Sequence, residues 1–271
     1  MPESVGRIGF GAMRLTGSRV LGPPKNLENA RRVLRRVIER EVPVIDTADA
    51  YGPGFNESLI GEEVPPGAAT MVATKGGFVR CEDGGWKPNG RPEHLRSSCL
   101  QSLRRLRREI IDIYQLHTPD PDVPLAESMG CLGELQREGL IRSIGVSNVD
   151  VEQLAEARRV ANVEVVQNRL SLWDLSASPV LRICAREGIR FLAYTPLNDA
   201  VPDDRMAAVA DRIGLPPTQL ALAWLLTVAD VVTPIPGTRR LDHLELNLDA
   251  GDVSLPPDVI AELDRIFGYP R

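Results

Sequence analysis

Eight short, β-rich apolar runs alternate with longer segments of helical periodicity along this chain of 271 residues. The apolar runs lie at 7–12, 42–46, 70–75, 111–116, 141–146, 163–167, 190–194 and 231–235. The helical patterns lie at 26–40, 92–107, 124–138, 150–160, 178–187, 203–213, 216–228, 240–247 and 257–267. Such alternation is typical of a parallel sheet with helices outside it. Eight units in 271 residues predict a (β/α)8 TIM barrel, a fold that typically takes about 250 residues. Because no linker or break in composition divides the chain, we predict one domain over residues 1–271.

Composition narrows the classes of function. With 43% hydrophobic and 25% charged residues the chain is typical of a soluble globular protein. Its net charge of −5 provides no basic field for nucleic acid or an anionic membrane. No apolar run reaches the ~18 residues that a membrane span needs, and the first residues lack the pattern of a secretory signal. We therefore expect a cytoplasmic protein, monomeric or homo-oligomeric, that acts on a small molecule.

Cysteine and histidine are too few and too scattered to predict a metal site. The cysteines stand at 81, 99, 131 and 184, with no CxxC spacing, and the histidines stand at 94, 117 and 243. Structural zinc needs four such ligands in close groups. We expect free thiols in a reducing compartment and no bound metal.

Four chemically distinct side chains follow neighbouring strands. Asp46, Lys75 and His117 stand at the ends of the second, third and fourth predicted strands, and Tyr51 lies in the loop after Asp46. Each alone is compatible with a structural role, but a desolvated charge costs free energy until it is paired. As a set they predict a proton-transfer site in which Asp46 holds Lys75 charged and Lys75 lowers the pKa of Tyr51. His117 would donate to a substrate oxygen or pass a proton to Tyr51, which suits reduction of a carbonyl.

Two arginines open the predicted helix after the last strand. Arg239 and Arg240 lie in the segment "PGTRR", where guanidinium groups and helix N–H groups could bind a phosphate together. The alternative is two solvated arginines at the start of a helix.

These motifs resemble the aldo-keto reductase family from end to end. The matching stretches, in order, are "IGFGAMRL", "VIDTADAYG", "ATKGG", "DIYQLH", "IRSIGVSN", "VVQNRLS", "LAYTPL" and "TPIPGTRRLDHLELNL". The resemblance implies a (β/α)8 barrel that binds NADPH without a Rossmann domain and reduces an aldehyde or ketone to an alcohol. The lack of a G-x-G-x-x-G fingerprint after a strand agrees with this. Within the family, "FGAM", "GPP", "DTADAYGP", "IPGT" and "AWLL" most resemble the bacterial pyridoxal reductase branch, which suggests pyridoxal or another small aldehyde as substrate.

The resemblance also implies roles for single residues. Tyr51 resembles the general acid of the family, Lys75 and Asp46 its tuning pair, and His117 the residue that orients the carbonyl. The expected NADPH contacts are Gly11, Ala12, Met13, Asp46, Ser147, Asn148, Gln167, Tyr194, Thr195, Pro196, Leu197, Ile235, Pro236, Gly237, Thr238, Arg239, Arg240, His243 and Asn247. In this set Ser147, Asn148 and Gln167 resemble the groups that hold the nicotinamide carboxamide, and Tyr194 the ring stacked on it. The segment 237–240 resembles the grip on the adenosine 2′-phosphate. Leu246 stands where many relatives have an acid, which weakens the expected hold on adenosine.

Two other functions compete with carbonyl reduction. Channel-associated β subunits share the fold and bind NADPH while serving mainly as partners, so a non-catalytic or regulatory module is one alternative. A metal-dependent hydrolase using Asp46 and His117 is the other, although a single histidine at a strand end leaves few ligands. Substrate choice is expected to depend on the loop 76–91 and on the C-terminal end. Phe78, Trp86 and Trp173 are expected either to form a pocket wall or to pack locally.

Overall fold

The computed structural model describes residues 7–81, 84–198 and 203–270. Ten strands lie in these ranges: β1 (Phe10–Gly11), β2 (Val44–Asp46), β3 (Met71–Gly76), β4 (Phe78–Arg80), β5 (Trp86–Pro88), β6 (Ile111–Leu116), β7 (Ile141–Ser147), β8 (Val163–Arg169), β9 (Arg190–Tyr194) and β10 (Val232–Pro234). Eight of them form one parallel sheet in the order β1-β2-β3-β6-β7-β8-β9-β10. The other two, β4 and β5, pair as an antiparallel hairpin.

Backbone hydrogen bonds join the first barrel segment to the last. The Gly9 N–H donates to the Pro234 carbonyl (2.9 Å), and the Gly11 N–H donates to the Pro236 carbonyl (3.2 Å). The sheet therefore closes on itself, and the predicted (β/α)8 barrel is confirmed. The first strand is shorter than predicted, because the chain turns into a short 3-10 helix at Ala12–Leu15. The Ala12 carbonyl accepts from Asn56 Nδ2 (3.0 Å) instead of from a neighbouring strand.

Ten α-helices surround the sheet in the described ranges: α1 (Leu27–Glu39), α2 (Phe55–Glu63), α3 (Pro92–Leu106), α4 (Leu125–Arg137), α5 (Val151–Val160), α6 (Ser178–Glu187), α7 (Asp204–Ile213), α8 (Pro217–Val228), α9 (Leu241–Asp249) and α10 (Pro257–Phe267). The sequence predicted all of these except α2. The buried face of α2 includes polar Asn56 and Glu57 beside Leu59 and Ile60, so its apolar periodicity is broken.

The core has two layers on the two sides of the barrel wall. Six side chains fill the interior: Val44, Ala73, Ile113, Val165, Leu192 and Ile235. A larger cluster lies between the strands and the helices. Helix α8 is buried nearly all round, as its apolar sequence predicted, and its Trp224 Nε1 donates to Asp264 of α10 (2.8 Å). Among the described residues, no helix combines the length and the apolar character needed to cross a bilayer.

Candidate active site

The four residues of the predicted proton-transfer site meet at one rim of the barrel. Asp46 ends β2, Lys75 lies one residue before the end of β3, and His117 follows β6. These strands are neighbours in the sheet, so their carboxyl ends adjoin. Tyr51 lies in the loop between β2 and α2, in a turn where its N–H donates to the Ala48 carbonyl (3.1 Å). The barrel geometry thus brings together residues that are up to 71 positions apart in sequence.

Lys75 is fully buried and has an acceptor for each of its protons. Its Nζ lies 2.8 and 2.7 Å from the two Asp46 carboxylate oxygens and 2.7 Å from the Thr47 carbonyl oxygen. Burial lowers the pKa of Lys75, and the Asp46 carboxylate opposes that shift. An ammonium has three donors, so this arrangement satisfies it completely and fixes its position.

Two side-chain amides from other strands of the barrel hold the Asp46 carboxylate. Gln167 of β8 donates to Asp46 Oδ1 at 2.7 Å, and Gln115 of β6 approaches the same oxygen at 3.4 Å. The sequence singled out Gln167 but not Gln115. The signal was an amide two residues before His117, inside a strand that is mostly buried. The carboxylate is therefore oriented by three residues, Lys75 among them.

Tyr51 and His117 lie side by side above this pair. Their ring centroids are 5.8 Å apart, and Lys75 Nζ lies 5.3 Å from the Tyr51 ring centroid. Burial, reinforced by the Asp46 carboxylate, raises the pKa of Tyr51 well above its ordinary value. The prediction that Lys75 lowers the pKa of Tyr51 is therefore wrong, because desolvation by burial is the largest influence on the phenol and raises its pKa. The phenol keeps its proton at neutral pH.

His117 is uncharged in this setting. Burial, and next the charge of Lys75, hold the pKa of His117 well below its usual range. Its Nδ1 is buried and has no hydrogen-bond partner among the described residues. A neutral imidazole can donate only one N–H, so a role in orienting an oxygen fits better than one as a charged proton source.

Two aromatic side chains of the β4–β5 hairpin line one side of the site. Phe78 packs on His117 with centroids 4.6 Å apart, and Trp86 lies 6.1 Å from Tyr51 and 6.3 Å from His117. Trp173 lies elsewhere: it packs on Phe267 and donates to Asp203 (3.2 Å). Residues 76–91 were predicted to form a loop, but they contain this hairpin. The segment "DGG" between "FVR" and "WKP" was the missed sign of a hairpin.

The residues expected to hold the nicotinamide carboxamide form one connected group beside the four. Tyr194 donates its hydroxyl to Asn148 Oδ1 (2.7 Å), and Asn148 Nδ2 donates to the His117 carbonyl (3.0 Å) and Ser147 Oγ (3.1 Å). Asn148 has a left-handed backbone (φ 58°), which asparagine adopts more readily than most residues. Gln167 completes the group through its bond to Asp46.

Other residues of the expected cofactor set lie along the barrel seam and after β9. Gly11 ends β1 and is followed by Ala12 and Met13, and across the seam from them lie Ile235, Pro236 and Gly237. Met13 is exposed, whereas Ala12 and Ile235 are buried. After β9, Thr195 has a left-handed backbone (φ 50°), Pro196 is buried, and Leu197 packs on the outer core.

The two arginines at the start of α9 differ in their partners. Arg240 is the N-cap residue of the helix, and its backbone N–H donates to the Thr238 hydroxyl (3.1 Å). Its guanidinium forms an ion pair with Asp242. That pair lowers the pKa of Asp242 to about 2. Arg239 binds only through its carbonyl, to Asn29 Nδ2 (2.6 Å), and its exposed guanidinium has no ion pair in the described part of the chain. His243 is exposed and Asn247 is buried on the same helix.

Metal-ligand clusters are absent from the described ranges. No group of three or more histidine, cysteine, aspartate or glutamate side chains is placed there to hold an ion. The four cysteines are free thiols, of which Cys81 alone is exposed.

Comparison with known proteins identifies the class. The family model for the Aldo/keto reductase family matches residues 7–203 and 198–267. The chain belongs to the aldo/keto reductase family, and the predictions of that family and of an NADP(H)-dependent oxidoreductase are confirmed.

Individual relatives cover nearly the whole chain. An uncharacterized oxidoreductase of Schizosaccharomyces pombe is 40% identical over 264 residues, which are 96% of this chain and 86% of that protein. Pyridoxine 4-dehydrogenase of Escherichia coli is 35% identical over 274 residues, 97% of this chain and 96% of that enzyme. The crystal structure of an aldo/keto reductase from Klebsiella pneumoniae in complex with NADP and acetate is 27% identical, with a TM-score of 0.82 and coverage of 98% of this chain and 92% of that one.

Proposed function

We propose that this protein reduces a small aldehyde to an alcohol with NADPH, and that Tyr51 supplies the proton. The observation that carries the proposal is the buried cluster at the rim. A protonated phenol and a neutral imidazole lie together over a fully hydrogen-bonded lysine–aspartate pair. This arrangement suits protonation of an oxygen that becomes negative during the reaction.

The residues around the site fit the cofactor of the family. The Ser147 hydroxyl and the side-chain amides of Asn148 and Gln167 offer the donors and acceptors that a carboxamide needs. Arg239 offers a guanidinium fork, on an exposed segment at the start of α9, that suits a phosphate. When bound, NADPH supplies the hydride that the carbonyl carbon accepts.

Tyr51 holds its proton until the substrate oxygen becomes a strong base. Its raised pKa keeps the phenol intact in the resting site. As the proton leaves, negative charge develops on the phenol. The Lys75 ammonium stabilises this charge, because its Nζ lies 5.3 Å from the centroid of the Tyr51 ring. The pair formed by Asp46 and Lys75 stays fixed throughout, because every ammonium proton already has an acceptor.

His117 orients the carbonyl oxygen by a neutral hydrogen bond. Its low pKa excludes a stable imidazolium at neutral pH, and its contact with Tyr51 places it beside the proton donor. The bond polarises the carbonyl while leaving the phenol as the only acid in this pair.

Pyridoxal is the specific aldehyde that we propose to test first. The Escherichia coli relative at 35% identity is a pyridoxine 4-dehydrogenase. The aromatic wall of Phe78 and Trp86 beside Tyr51 also suits a planar ring.

The test is NADPH oxidation with a panel of aldehydes, quinones and pyridoxal, repeated with NADH and with a chelator. We expect turnover with at least one aldehyde, a preference for NADPH of about tenfold or more, and no effect of the chelator. Tight NADPH binding without turnover on any compound would instead support the non-catalytic module. Loss of activity with the chelator would support metal chemistry.

A further inference from the structure

The segment 17–22, between β1 and α1, contains two consecutive residues with a strained backbone. Arg19 and Val20 both have left-handed conformations, with φ of 57° and 59°. This conformation is uncommon outside glycine, and for a β-branched residue such as valine it is an outlier that costs free energy. It persists only where the surrounding structure fixes it, and such residues cluster at functional sites. The contacts that fix Arg19 and Val20 therefore indicate what the segment does.

Two hydrogen bonds hold the strained pair, and each comes from a different side of the active site. The N–H of Gly52, the residue after Tyr51, donates to the Val20 carbonyl (3.0 Å). Nη2 of Arg80, in β4, donates to the Arg19 carbonyl (2.8 Å). The pair therefore connects the loop that carries the phenol to the β4–β5 hairpin.

The hairpin meets the segment 17–22 at a second point. Gly84 lies between the two strands of the hairpin, and a Cβ placed there would be 2.8 Å from Nη2 of Arg19. The backbone at Gly84 therefore packs closely against the Arg19 side chain. The segment thus supports the hairpin both at β4 and at the connection between its strands.

Arg80 connects this support to the aromatic side of the site. Its Cζ lies 4.0 Å from the centroid of the Trp86 ring, which is a cation–π contact. Two further nitrogens of the guanidinium, Nε and Nη1, are buried. The planar guanidinium therefore binds the indole with its face and the Arg19 carbonyl with one edge, so it is held in place and is not presented to solvent.

Trp86 needs such support, because the core does not enclose it. It is 39% exposed, yet its ring centroid lies 6.1 Å from that of Tyr51 and 6.3 Å from that of His117. The contacts form a closed ring, which runs from Tyr51 through the segment 17–22 and Arg80 to Trp86 and back to Tyr51. The position of the indole beside the phenol therefore depends on residues outside the four at the rim.

We propose that Arg80 is a positioning residue that holds Trp86 against Tyr51, and that the strained pair Arg19 and Val20 is the fixed support to which it binds. Arg80 touches neither the substrate nor the cofactor, and its effect on the reaction passes through the indole. Trp86 in turn forms one side of the space in which an aldehyde lies beside the phenol. This inference rests on the proposed aldehyde reduction and adds a residue that shapes the substrate space.

The test compares two uncharged aldehydes of similar size, benzaldehyde and cyclohexanecarbaldehyde. Only the first has an aromatic ring that can pair with the indole. Their intrinsic reactivities differ, but that difference cancels when the ratio of their kcat/KM values is compared between variants. Arg80→Met is expected to lower the ratio of benzaldehyde to cyclohexanecarbaldehyde by about fivefold, mainly through a higher KM for benzaldehyde and not through kcat.

A double-mutant cycle tests whether Arg80 acts through Trp86. Trp86→Leu alone should lower the ratio about as much as Arg80→Met does. Arg80→Met added to Trp86→Leu should lower it no further, because the indole that Arg80 held is gone. Lys87→Met is the matched control: it removes a cation from the same hairpin, but Lys87 follows Trp86 directly and so lies on the opposite face, and the ratio should not change.

A second measurement reports on the indole without any turnover. The chain has three tryptophans, and Trp224 is fully buried. In a Trp173→Phe background, quenching of tryptophan fluorescence by acrylamide therefore reports mainly on Trp86. Arg80→Met should increase the quenching, because the indole loses its stacked partner, whereas Lys87→Met should leave it unchanged.

Three results would overturn the inference: an unchanged ratio in Arg80→Met, a further fall of the same size when Arg80→Met is added to Trp86→Leu, and unchanged quenching in Arg80→Met. Reduction of the two aldehydes by the wild-type chain would in each case leave the proposed function standing. Failure of the wild-type chain to reduce any aldehyde would contradict the proposed function, and the quenching measurement would still decide whether Arg80 holds Trp86.

Discussion

At the scale of single residues, Asp49 is an acid near the site that is about half ionised at neutral pH. Burial, and next the Glu57 carboxylate, raise the pKa of Asp49 to about 7. Its Oδ1 is buried without a hydrogen-bond partner among the described residues, and its N–H donates to the Lys75 carbonyl (3.1 Å). The backbone of Lys75 therefore connects this acid to the Asp46–Lys75 ion pair.

The raised pKa of Asp49 predicts a pH-dependent loss of stability. Between the ordinary pKa of an aspartate and about 7, the unfolded chain has released this proton while the folded chain retains it, so stability falls as pH rises through that window. Asp49→Asn removes the titration. We expect the stability of the variant relative to wild type to increase by about 2 kcal/mol from pH 5 to pH 8.

Urea unfolding at the two pH values measures this difference. Asp211→Asn, at an exposed position of α7, is the matched control and should show no such change. A constant difference between Asp49→Asn and wild type at both pH values would contradict a raised pKa of Asp49.

The positions of the side chains at the strand ends could be predicted from the sequence, but their surroundings could not. Asp46, Lys75 and His117 follow apolar runs, so their positions in a barrel follow from the alternation alone. The sign of the pKa shift of Tyr51 depends on how deeply the phenol is buried, and residues of the hairpin help to decide that. The Thr47 carbonyl that completes the lysine site is a backbone group, and no residue type signals it.

At the scale of elements, two adjacent arginines at the start of α9 have different partners. Arg240 is the cap residue and pairs with Asp242, whereas the Arg239 guanidinium has no ion pair among the described residues. From the sequence, both arginines were expected to bind the adenosine 2′-phosphate. The difference arises from the ion pair between Arg240 and Asp242, which the sequence alone does not show.

We predict that Arg239 is the main determinant of the preference for NADPH over NADH. Arg239→Met should raise the Kd of NADPH about tenfold or more, with little effect on NADH, because the lost bonds involve only the 2′-phosphate. Arg240→Met should have a smaller effect, since its guanidinium is shared with Asp242. Titration of tryptophan fluorescence measures both constants, and a larger effect at Arg240 would contradict the assignment.

Two elements escaped the sequence analysis for different physical reasons. Helix α2 buries Asn56 and Glu57 in specific bonds: Asn56 binds the Ala12 carbonyl, and Glu57 accepts from Thr74 (2.6 Å) and Arg105 (2.7 Å). Such buried polar residues hide the helical pattern. The β4–β5 hairpin has strands of three residues, too short to show an alternation, and only its turn residues marked it.

At the scale of the whole molecule, the barrel closes where two glycines allow close approach of distant backbone. A Cβ at Gly237 would lie 2.5 Å from the Gly11 carbonyl oxygen, and a Cβ at Gly11 would lie 2.7 Å from the Ile235 carbonyl oxygen. Alternation of strands and helices predicted that a barrel forms. The alternation could not show this seam, because the seam is a contact between the first strand and the segment after the last strand, which are far apart in sequence.

Gly237→Ala should therefore destabilise the whole barrel. The added methyl group meets backbone, which cannot move without opening the seam, so we expect a loss of about 2 kcal/mol in the free energy of unfolding. Gly133→Ala in α4 is the matched control, because nothing lies within 4 Å of the added carbon there. That variant should be as stable as wild type or slightly more stable. Urea unfolding of both variants checks the prediction, and equal stability would contradict it.

The most direct test of the proposed mechanism is the effect of Tyr51→Phe on aldehyde reduction and on NADPH binding. We predict that kcat falls by about 10³-fold, while the Kd of NADPH stays within about threefold of wild type. Tyr114→Phe removes a buried hydroxyl that donates to the Leu95 carbonyl (3.1 Å), away from the four residues at the rim, so this control should keep turnover near the wild-type level. Turnover by Tyr51→Phe at the wild-type rate would show that another group donates the proton and would contradict the role proposed for Tyr51.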